Sequence, residues 1–260
     1  MRKWRPSNKN IYVIPAVLGN LNSLLLIFNT ILPLRFSEGN DDKIIMLGNY
    51  INGCDKSFQT IECLINIKKE YGDRIILLRG KSEELLLRSL SNSKDDYNAW
   101  INSGGVETLS SYIKYNNINS SPNSIPITRL QDIINKEHID FLKEMPAKFI
   151  YENYVLMCGG FDINKTIEEN ADNNFIFDYT SSRYVKECYK INKGPQFKDN
   201  YIFVSHNNYN SKEPYLSQNY FMLGETAPTK LIAFELNSMS AIACNIEKKK
   251  TYKYEFKYVE

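Results

Sequence analysis

Three units of strand, loop and helix follow one another in residues 11–90, and this repetition constrains the fold more than any other feature of the sequence. Each unit opens with a short β-rich run and continues into a segment whose apolar residues recur at the spacing of one helical face. The β-rich runs are 11–14, 44–47 and 75–78. Asn20 and Ser57 stand where the first two helices would be capped. Such units in series predict an α/β fold with a parallel sheet and right-handed crossovers.

The remainder of the chain reads as two further regions. Residues 93–146 combine clusters of Asn, Ser, Asp and Gly with helical pieces, and we predict a small, mainly helical insertion there. β-rich runs then return, and near the end aromatic residues alternate with polar ones, as in a half-buried strand. These runs are 149–157, 201–204, 220–223, 231–236, 241–246 and 252–258. We predict a single domain that spans residues 1–260.

Composition and charge exclude several classes of function. Of the 260 residues, 43% are hydrophobic and 24% are charged, as in a globular domain that can bury a core. The formal net charge of +2 provides no basic surface for a nucleic-acid backbone. No apolar run approaches the length of a membrane span. The five cysteines are scattered and include no Cys-x-x-Cys pair, which favours a reducing cytoplasm over a disulfide framework.

The loops that follow the three β-rich runs are where a site is expected, because open α/β sheets bind ligands beyond the carboxyl ends of their strands. These loops read Pro-Ala-Val-Leu-Gly-Asn at 15–20, Gly-Asn-Tyr-Ile-Asn-Gly-Cys at 48–54 and Gly-Lys-Ser-Glu at 80–83. They resemble the Gly-Asp-x-His-Gly-Asn, Gly-Asp-x-x-Asp-Arg-Gly and Gly-Asn-His-Glu motifs of the calcineurin-like metallophosphoesterases. Gly19, Gly48 and Gly80 match the motif glycines, whereas the residues that carry the chemistry differ.

The resemblance extends along most of the chain and is to the bacterial-type serine/threonine protein phosphatases of that family. The segment 100–112 is similar to their Trp-x-x-Asn-Gly-Gly-x-x-Thr-Leu-x-Ser-Tyr signature. Segments similar to later family motifs follow in the family's order at 138–146, 158–162, 205–208 and 230–233. The resemblance implies a β-sandwich flanked by helices, in an α/β/β/α arrangement. In active members it also implies two divalent cations, such as manganese.

Most positions that would hold these cations carry other residues. By the resemblance, the positions are Ala16, Leu18, Asn49, Lys81, Cys158 and His206. The side chains of Ala16 and Leu18 have no electron pair to donate, and Lys81 would place a positive charge where the second cation belongs. His206 alone keeps the family's ligand type, and one imidazole falls short of the usual three or four ligands. We therefore expect no metal and no other cofactor.

The catalytic positions are replaced as well. The resemblance places Ser82 where the family has the histidine that protonates the leaving group. It places Asn52 where an aspartate orients that histidine, and Gly53 where an arginine binds phosphate. With no catalytic residue expected, the sequence predicts that the chain is not an enzyme. It predicts a cytoplasmic pseudophosphatase that works by binding a protein, phosphorylated or acidic, or a phospho-ligand, with no nucleic acid or membrane as partner.

Other interpretations of the same residues remain open. Lys81 and Arg183 are candidates for binding an anion, because Lys81 precedes a helix N-terminus and some relatives have a phosphate-binding arginine near 183. The chain could instead be an active phosphoesterase with a rebuilt metal site. Its ligands would be Asn49, Cys158, Asp162 and His206. A third interpretation is a structural subunit of a larger assembly. His138, in a polar helical stretch, is expected at the surface.

Overall fold

The computed structural model describes residues 10–35, 41–190, 200–205, 214–216, 219–224, 230–245 and 247–254. Its strands are β1 (Ile11–Ile14), β2 (Lys43–Met46), β3 (Ile75–Leu77), β4 (Lys148–Tyr151), β5 (Tyr154–Met157), β6 (Tyr201–Val204), β7 (Tyr215–Leu216), β8 (Tyr220–Met222), β9 (Lys230–Glu235), β10 (Ser240–Asn245) and β11 (Lys250–Tyr254). Its α-helices are α1 (Leu21–Arg35), α2 (Ser57–Tyr71), α3 (Lys81–Ser89), α4 (Lys94–Trp100), α5 (Val106–Tyr115), α6 (Leu130–Ile133), α7 (Lys136–Glu144), α8 (Asp172–Phe177) and α9 (Thr180–Lys190).

The first sheet contains the strands of the three strand, loop and helix units that the sequence predicts. Its strand order is β11-β10-β9-β1-β2-β3, in which β1, β2 and β3 run parallel. The later strands β9, β10 and β11 extend it antiparallel on the β1 side. The predicted parallel sheet is therefore confirmed, and the carboxyl ends of its three parallel strands lie at one edge.

The second sheet has the order β4-β5-β6-β8-β7. One strand was expected over residues 149–157, but the chain forms two antiparallel strands there, β4 and β5. A two-residue turn at Glu152 and Asn153 separates them, and Glu152 has a φ of 53°. The prediction was wrong because the turn residues Glu152 and Asn153 interrupt the apolar run only briefly and are not one of the common hairpin-turn pairs.

The two sheets pack face to face across an apolar layer. Val13, Ile45 and Phe234 of the first sheet meet Phe203 and Phe221 of the second sheet in one buried cluster. The rings of Phe203 and Phe221 stack with their centroids 4.4 Å apart. Burying a side chain of this size contributes about 1.5–3 kcal/mol of stability. This layer makes the two sheets a sandwich.

Helices cover both outer faces of the sandwich. On the first sheet, α1, α2, α5 and α7 contribute to one buried cluster with β1, β2 and β3. On the second sheet, residues of α8 and α9 pack with β5, β6 and β8 in another. The predicted α/β/β/α arrangement is therefore confirmed. The description of residues 1–260 as one domain stays a prediction.

The ends of the first helices show which capping predictions hold. The Asn20 side chain accepts a hydrogen bond from the Ser23 N–H at 3.1 Å, as expected of a cap on α1. Ser57 is instead the first residue of α2, and its hydroxyl lies 3.1 Å from that of Thr108. The prediction that Ser57 caps α2 is wrong, because its hydroxyl contacts α5 rather than the orphan amides of its own helix.

Helices also occupy much of the segment that connects β3 to β4 along the chain. The helices α4 to α7 lie within residues 93–146, and their residues Trp100, Tyr112 and Leu142 are fully buried. The predicted terminal strand is present as β11 at the edge of the first sheet, and positions 255–258 lie outside the described residues. Among the described helices, none has the length and apolar character needed to cross a membrane.

Candidate functional site

The loops after β1, β2 and β3 are joined by backbone hydrogen bonds. The N–H groups of Val17 and Leu18 both donate to the Asn49 carbonyl, at 3.0 and 2.9 Å. The Gly19 N–H donates to the Tyr50 carbonyl at 2.7 Å. We call residues 15–20, 48–54 and 80–83 the crevice loops. The structure therefore brings the three predicted motifs together at one edge of the sheet.

Left-handed backbone geometry is concentrated in these loops. Leu18, Asn49 and Asn52 have φ values of 54°, 56° and 71°. Asparagine tolerates this region, whereas a leucine there costs roughly 1–2 kcal/mol. Gly48 has a φ of 91°, and a Cβ atom on it would lie 2.5 Å from the backbone of Gly80. The glycines of the second and third motifs are thus retained because the two loops touch at their backbones.

A buried carboxylate, that of Glu83, organises the crevice loops. Its two oxygens accept hydrogen bonds from the N–H groups of Asn49, Tyr50 and Gly80 at 2.7–2.9 Å, and from that of Ile51 at 3.3 Å. Burial raises the pKa of Glu83, while these four N–H groups act in the opposite direction. Sequence reasoning gave Glu83 no role. The signal was an acidic residue three positions after the N-cap glycine of α3.

Two asparagines of the second loop serve as connectors. The Asn49 amide oxygen accepts a hydrogen bond from the Ser82 N–H at 3.0 Å, which caps the start of α3. Asn52 accepts a hydrogen bond from the Thr108 hydroxyl at 2.9 Å through Oδ1 and donates from Nδ2 to the Ser103 carbonyl at 3.0 Å. The positions that the resemblance assigns to a bridging ligand and a catalytic orienter thus hold the crevice loops to α3 and α5.

Residues from the second sheet close the other side of the crevice. The Ser205 hydroxyl accepts a hydrogen bond from the Ala16 N–H at 2.9 Å, and the Ser205 N–H donates to the Cys158 carbonyl at 3.1 Å. Ala16 and Cys158 are both buried. Leu18 is half-buried, and a Cβ atom on Gly53 would lie 3.3 Å from its own Cβ. The structure therefore assembles most of the predicted metal positions around one crevice.

The two candidate anion-binding residues have different surroundings. Lys81 is the first residue of α3 and is half-buried, and its ammonium forms no ion pair with any residue that the structure describes. Arg183 is exposed on α9 and lines a depression of about 410 Å³. The other lining residues, 173, 174 and 177–180, belong to α8, the start of α9 and the two residues between them rather than to the crevice loops. Only Lys81 therefore stands in the crevice.

Two predicted ligands remain, His206 and Asp162. His206 lies outside the described residues. Asp162 accepts hydrogen bonds from the backbone and side-chain N–H groups of Asn164 and lies 3.8 Å from the Lys165 ammonium. In the part of the chain that the structure describes, no group of three or more His, Cys, Asp or Glu side chains is placed to hold a metal.

His138 is not at the surface, so that prediction is wrong. Its side chain is 0% exposed, with Nδ1 2.6 Å from the Tyr112 hydroxyl and Nε2 2.7 Å from a Glu62 carboxylate oxygen. Burial lowers the pKa of His138, while Glu62 acts in the opposite direction. The polar residues around His138 hid its burial, because only one face of the short helix α7 turns inward.

Comparison with known proteins supports the fold alone. No protein-family model matches the sequence, and no curated protein matches it. A solved structure of a candidate diadenosine tetraphosphatase has a TM-score of 0.57 at 10% identity, covering 91% of this chain and 93% of its own. The solved structure of a mutant cold-active protein tyrosine phosphatase has a TM-score of 0.50 at 14% identity, covering 96% of this chain and 81% of its own. The solved structure of a metallophosphoesterase from Sphaerobacter thermophilus has a TM-score of 0.48 at 12% identity, covering 95% of this chain and 89% of its own.

The chain therefore shares its two-sheet α/β fold with solved structures that are named as phosphatases. This confirms the predicted fold class and the coarser part of the predicted resemblance. It contradicts the prediction that the chain is not an enzyme. The solved structures that share the fold are named as phosphatases, and the described residues contain no positive evidence of inactivity. Replaced motif residues alone were an insufficient basis for that prediction.

Proposed function

We propose that the crevice binds the phosphoryl group of a phosphorylated protein partner. The observation that carries this proposal is Lys81, a half-buried residue at the start of α3 that has no ion-pair partner among the described residues. A positive charge without a counter-charge nearby favours the binding of an anion. A cytoplasmic location remains part of this proposal.

The start of α3 adds to this attraction. Lys81 and Ser82 occupy its first turn, where the helix dipole and unpaired N–H groups favour negative charge. The Ser82 hydroxyl makes no hydrogen bond to any described residue and can donate one to a phosphoryl oxygen. The buried Glu83 carboxylate opposes an anion only weakly, because four backbone N–H groups already compensate its charge.

The described residues do not fit the pair of divalent cations that the resemblance implies. The side chains of Ala16 and Leu18 are hydrocarbon, and Lys81 brings its own positive charge. The Asn49 oxygen already accepts a hydrogen bond from a backbone N–H of α3. His206 lies outside the described residues and supplies at most one ligand. The proposal therefore rests on Lys81 and the start of α3 rather than on a metal.

Calorimetric titration with a phosphoserine peptide and its unphosphorylated twin tests the proposal. We expect binding that depends on the phosphoryl group and that Lys81→Ala weakens about ten-fold or more, since a hydrogen bond to a charged group contributes about 1.5–3 kcal/mol. Lys114→Ala, on the exposed side of α5, is the matched control and should leave the affinity unchanged. Equal affinity for the two peptides would reject the proposal.

A turnover assay decides whether binding leads to hydrolysis. The substrate is para-nitrophenyl phosphate, with manganese, zinc and magnesium supplied in turn. Turnover that His206→Ala abolishes would extend the proposal to a phosphoesterase with a rebuilt metal site. Turnover that is insensitive to His206→Ala but lost in Lys81→Ala would assign the chemistry to the start of α3.

A further inference from the structure

Four strands form the edges of the two sheets within the described residues, and three of these edges are protected. The β3 edge is covered, because the Lys68 ammonium donates to the Ile75 carbonyl at 2.8 Å and the Arg79 N–H donates to the Pro146 carbonyl at 2.8 Å. β7 has only two residues, and β11 carries lysines at 250 and 253. Short edges and edge lysines discourage pairing with another chain.

The fourth edge, β4, is apolar, and no strand among the described residues pairs with its outer side. Phe149, Ile150 and Tyr151 follow Lys148 along the strand, and the Ile150 side chain is 46% exposed. β4 and β5 form a hairpin with a two-residue turn, so the Tyr151 peptide groups face β5. By alternation, those of Lys148 and Ile150 point away from the sheet. β4 thus presents free hydrogen-bonding groups beside exposed apolar surface.

The residues of β4 and its turn are complementary to themselves when read antiparallel. The segment 148–152 reads Lys-Phe-Ile-Tyr-Glu. If two copies pair about Ile150, each Lys148 lies opposite Glu152 of the second copy, and each Phe149 lies opposite Tyr151 of the second copy. Opposite charges and aromatic pairs are the cross-strand neighbours that stabilise antiparallel strands. One copy of the segment is therefore a matching partner for another.

The two faces of β4 agree with this register. Phe149 and Tyr151 pack toward the layer between the sheets, whereas the Lys148 ammonium lies on the opposite face, 4.0 Å from the Phe175 ring centroid. Ile150 shares the face of Lys148. Phe149 also lines an apolar groove of about 820 Å³, whose floor includes Leu77. A ring placed opposite Phe149 would lie beside this groove and shield apolar surface from water.

We propose that two copies of this chain associate through β4, antiparallel about Ile150, so that their second sheets join into one continuous sheet. The contact is isologous: each copy uses the same strand, and the two-fold axis passes between the paired Ile150 residues. Lys148 and Glu152 fix the register, because a slip by one residue removes both charge pairs and reverses the faces. The short strand predicts a reversible dimer that depends on protein concentration.

Analytical ultracentrifugation of the full chain over a wide concentration range is the first test. We expect a monomer–dimer equilibrium in which high concentration favours the dimer. A monomer at every concentration would overturn the proposal, and so would a dimer that Ile150→Lys leaves intact. Ile150→Lys places two ammonium groups against each other on the two-fold axis, and its circular dichroism at low concentration checks that each copy still folds.

A charge-reversal cycle tests the register. Glu152→Lys should raise the dimer dissociation constant about ten-fold or more, because two opposite-charge pairs become two like-charge pairs. Glu168→Lys, at an exposed position in another loop, changes the net charge equally and should have no effect. The double variant Lys148→Glu with Glu152→Lys should restore the dimer. Failure of Glu152→Lys to weaken it, or of the double variant to restore it, would refute the Ile150-centred pairing.

Discussion

At the scale of single residues, the crevice depends on positions where no other side chain fits. Gly48→Ala would place a Cβ atom 2.5 Å from the Gly80 backbone, at a φ of 91°. We expect it to lower the free energy of unfolding by about 3 kcal/mol or more. Gly72→Ala is the matched control, because Gly72 also has a positive φ but nothing lies within 4 Å of the added atom. It should cost less, about 1–3 kcal/mol, because the backbone of Gly72, with a φ of 55° and a ψ of −128°, is strained for alanine but not crowded.

Urea unfolding of the two variants measures this difference. If Gly48→Ala and Gly72→Ala destabilise the chain equally, the contact between the second and third crevice loops is not what requires a glycine at position 48. The comparison separates the cost of the crowded backbone from the cost of a positive φ, which both positions share.

The residue scale is also where the sequence was least informative about the site. The motif glycines at 48 and 80 marked the correct loops, because close approach of two backbones leaves a recognisable residue type. The connecting roles of Asn49 and Asn52 were not predictable, since their hydrogen-bond partners Ser82 and Thr108 are fixed only by tertiary packing. The presence of a polar residue in a motif does not specify which group its side chain binds.

At the scale of elements, a buried hydrogen-bonded chain joins three helices. His138 of α7 lies between Tyr112 of α5 and Glu62 of α2, with ring contacts to Phe58. Sequence periodicity predicted α2, and the region of α5 and α7 was predicted only to contain helical pieces. Periodicity could not place polar residues of different helices against each other. Burial lowers the pKa of His138 in the folded state and is the largest influence on it. Glu62 and Glu137 act in the opposite direction.

This lowered pKa predicts a pH-dependent stability. Between the folded-state pKa and the unfolded value near 6.5, the unfolded chain binds more protons, so the stability that neutral His138 contributes is lost as the pH falls through this window. We expect the stability advantage of the wild type over His138→Gln to shrink on going from about pH 7.5 to about pH 5. Urea midpoints measured across this range test it, and a constant difference would contradict the neutral, buried assignment.

At the scale of the whole molecule, the fold was more predictable than its details. Three strand and helix units in series dictate a parallel sheet, because crossovers of this length permit little else. The second sheet was less accessible to prediction, since its strands are short and pair across long stretches of chain, such as β5 with β6. The turn between β4 and β5 was not predicted. The sequence therefore did not predict β4 as an edge strand, which is the strand that we propose as a dimer contact.

The central claim is that the crevice binds a phosphoryl group, and amide-resolved NMR with inorganic phosphate tests it most directly. We predict that phosphate shifts the amide signals of the crevice loops, above all those of Lys81 and Ser82, and that Lys81→Ala reduces these shifts. The signals near Arg183, which is exposed on α9, should not move to the same extent. Phosphate shifts confined to residues outside the crevice loops, or no shifts at all, would contradict the account.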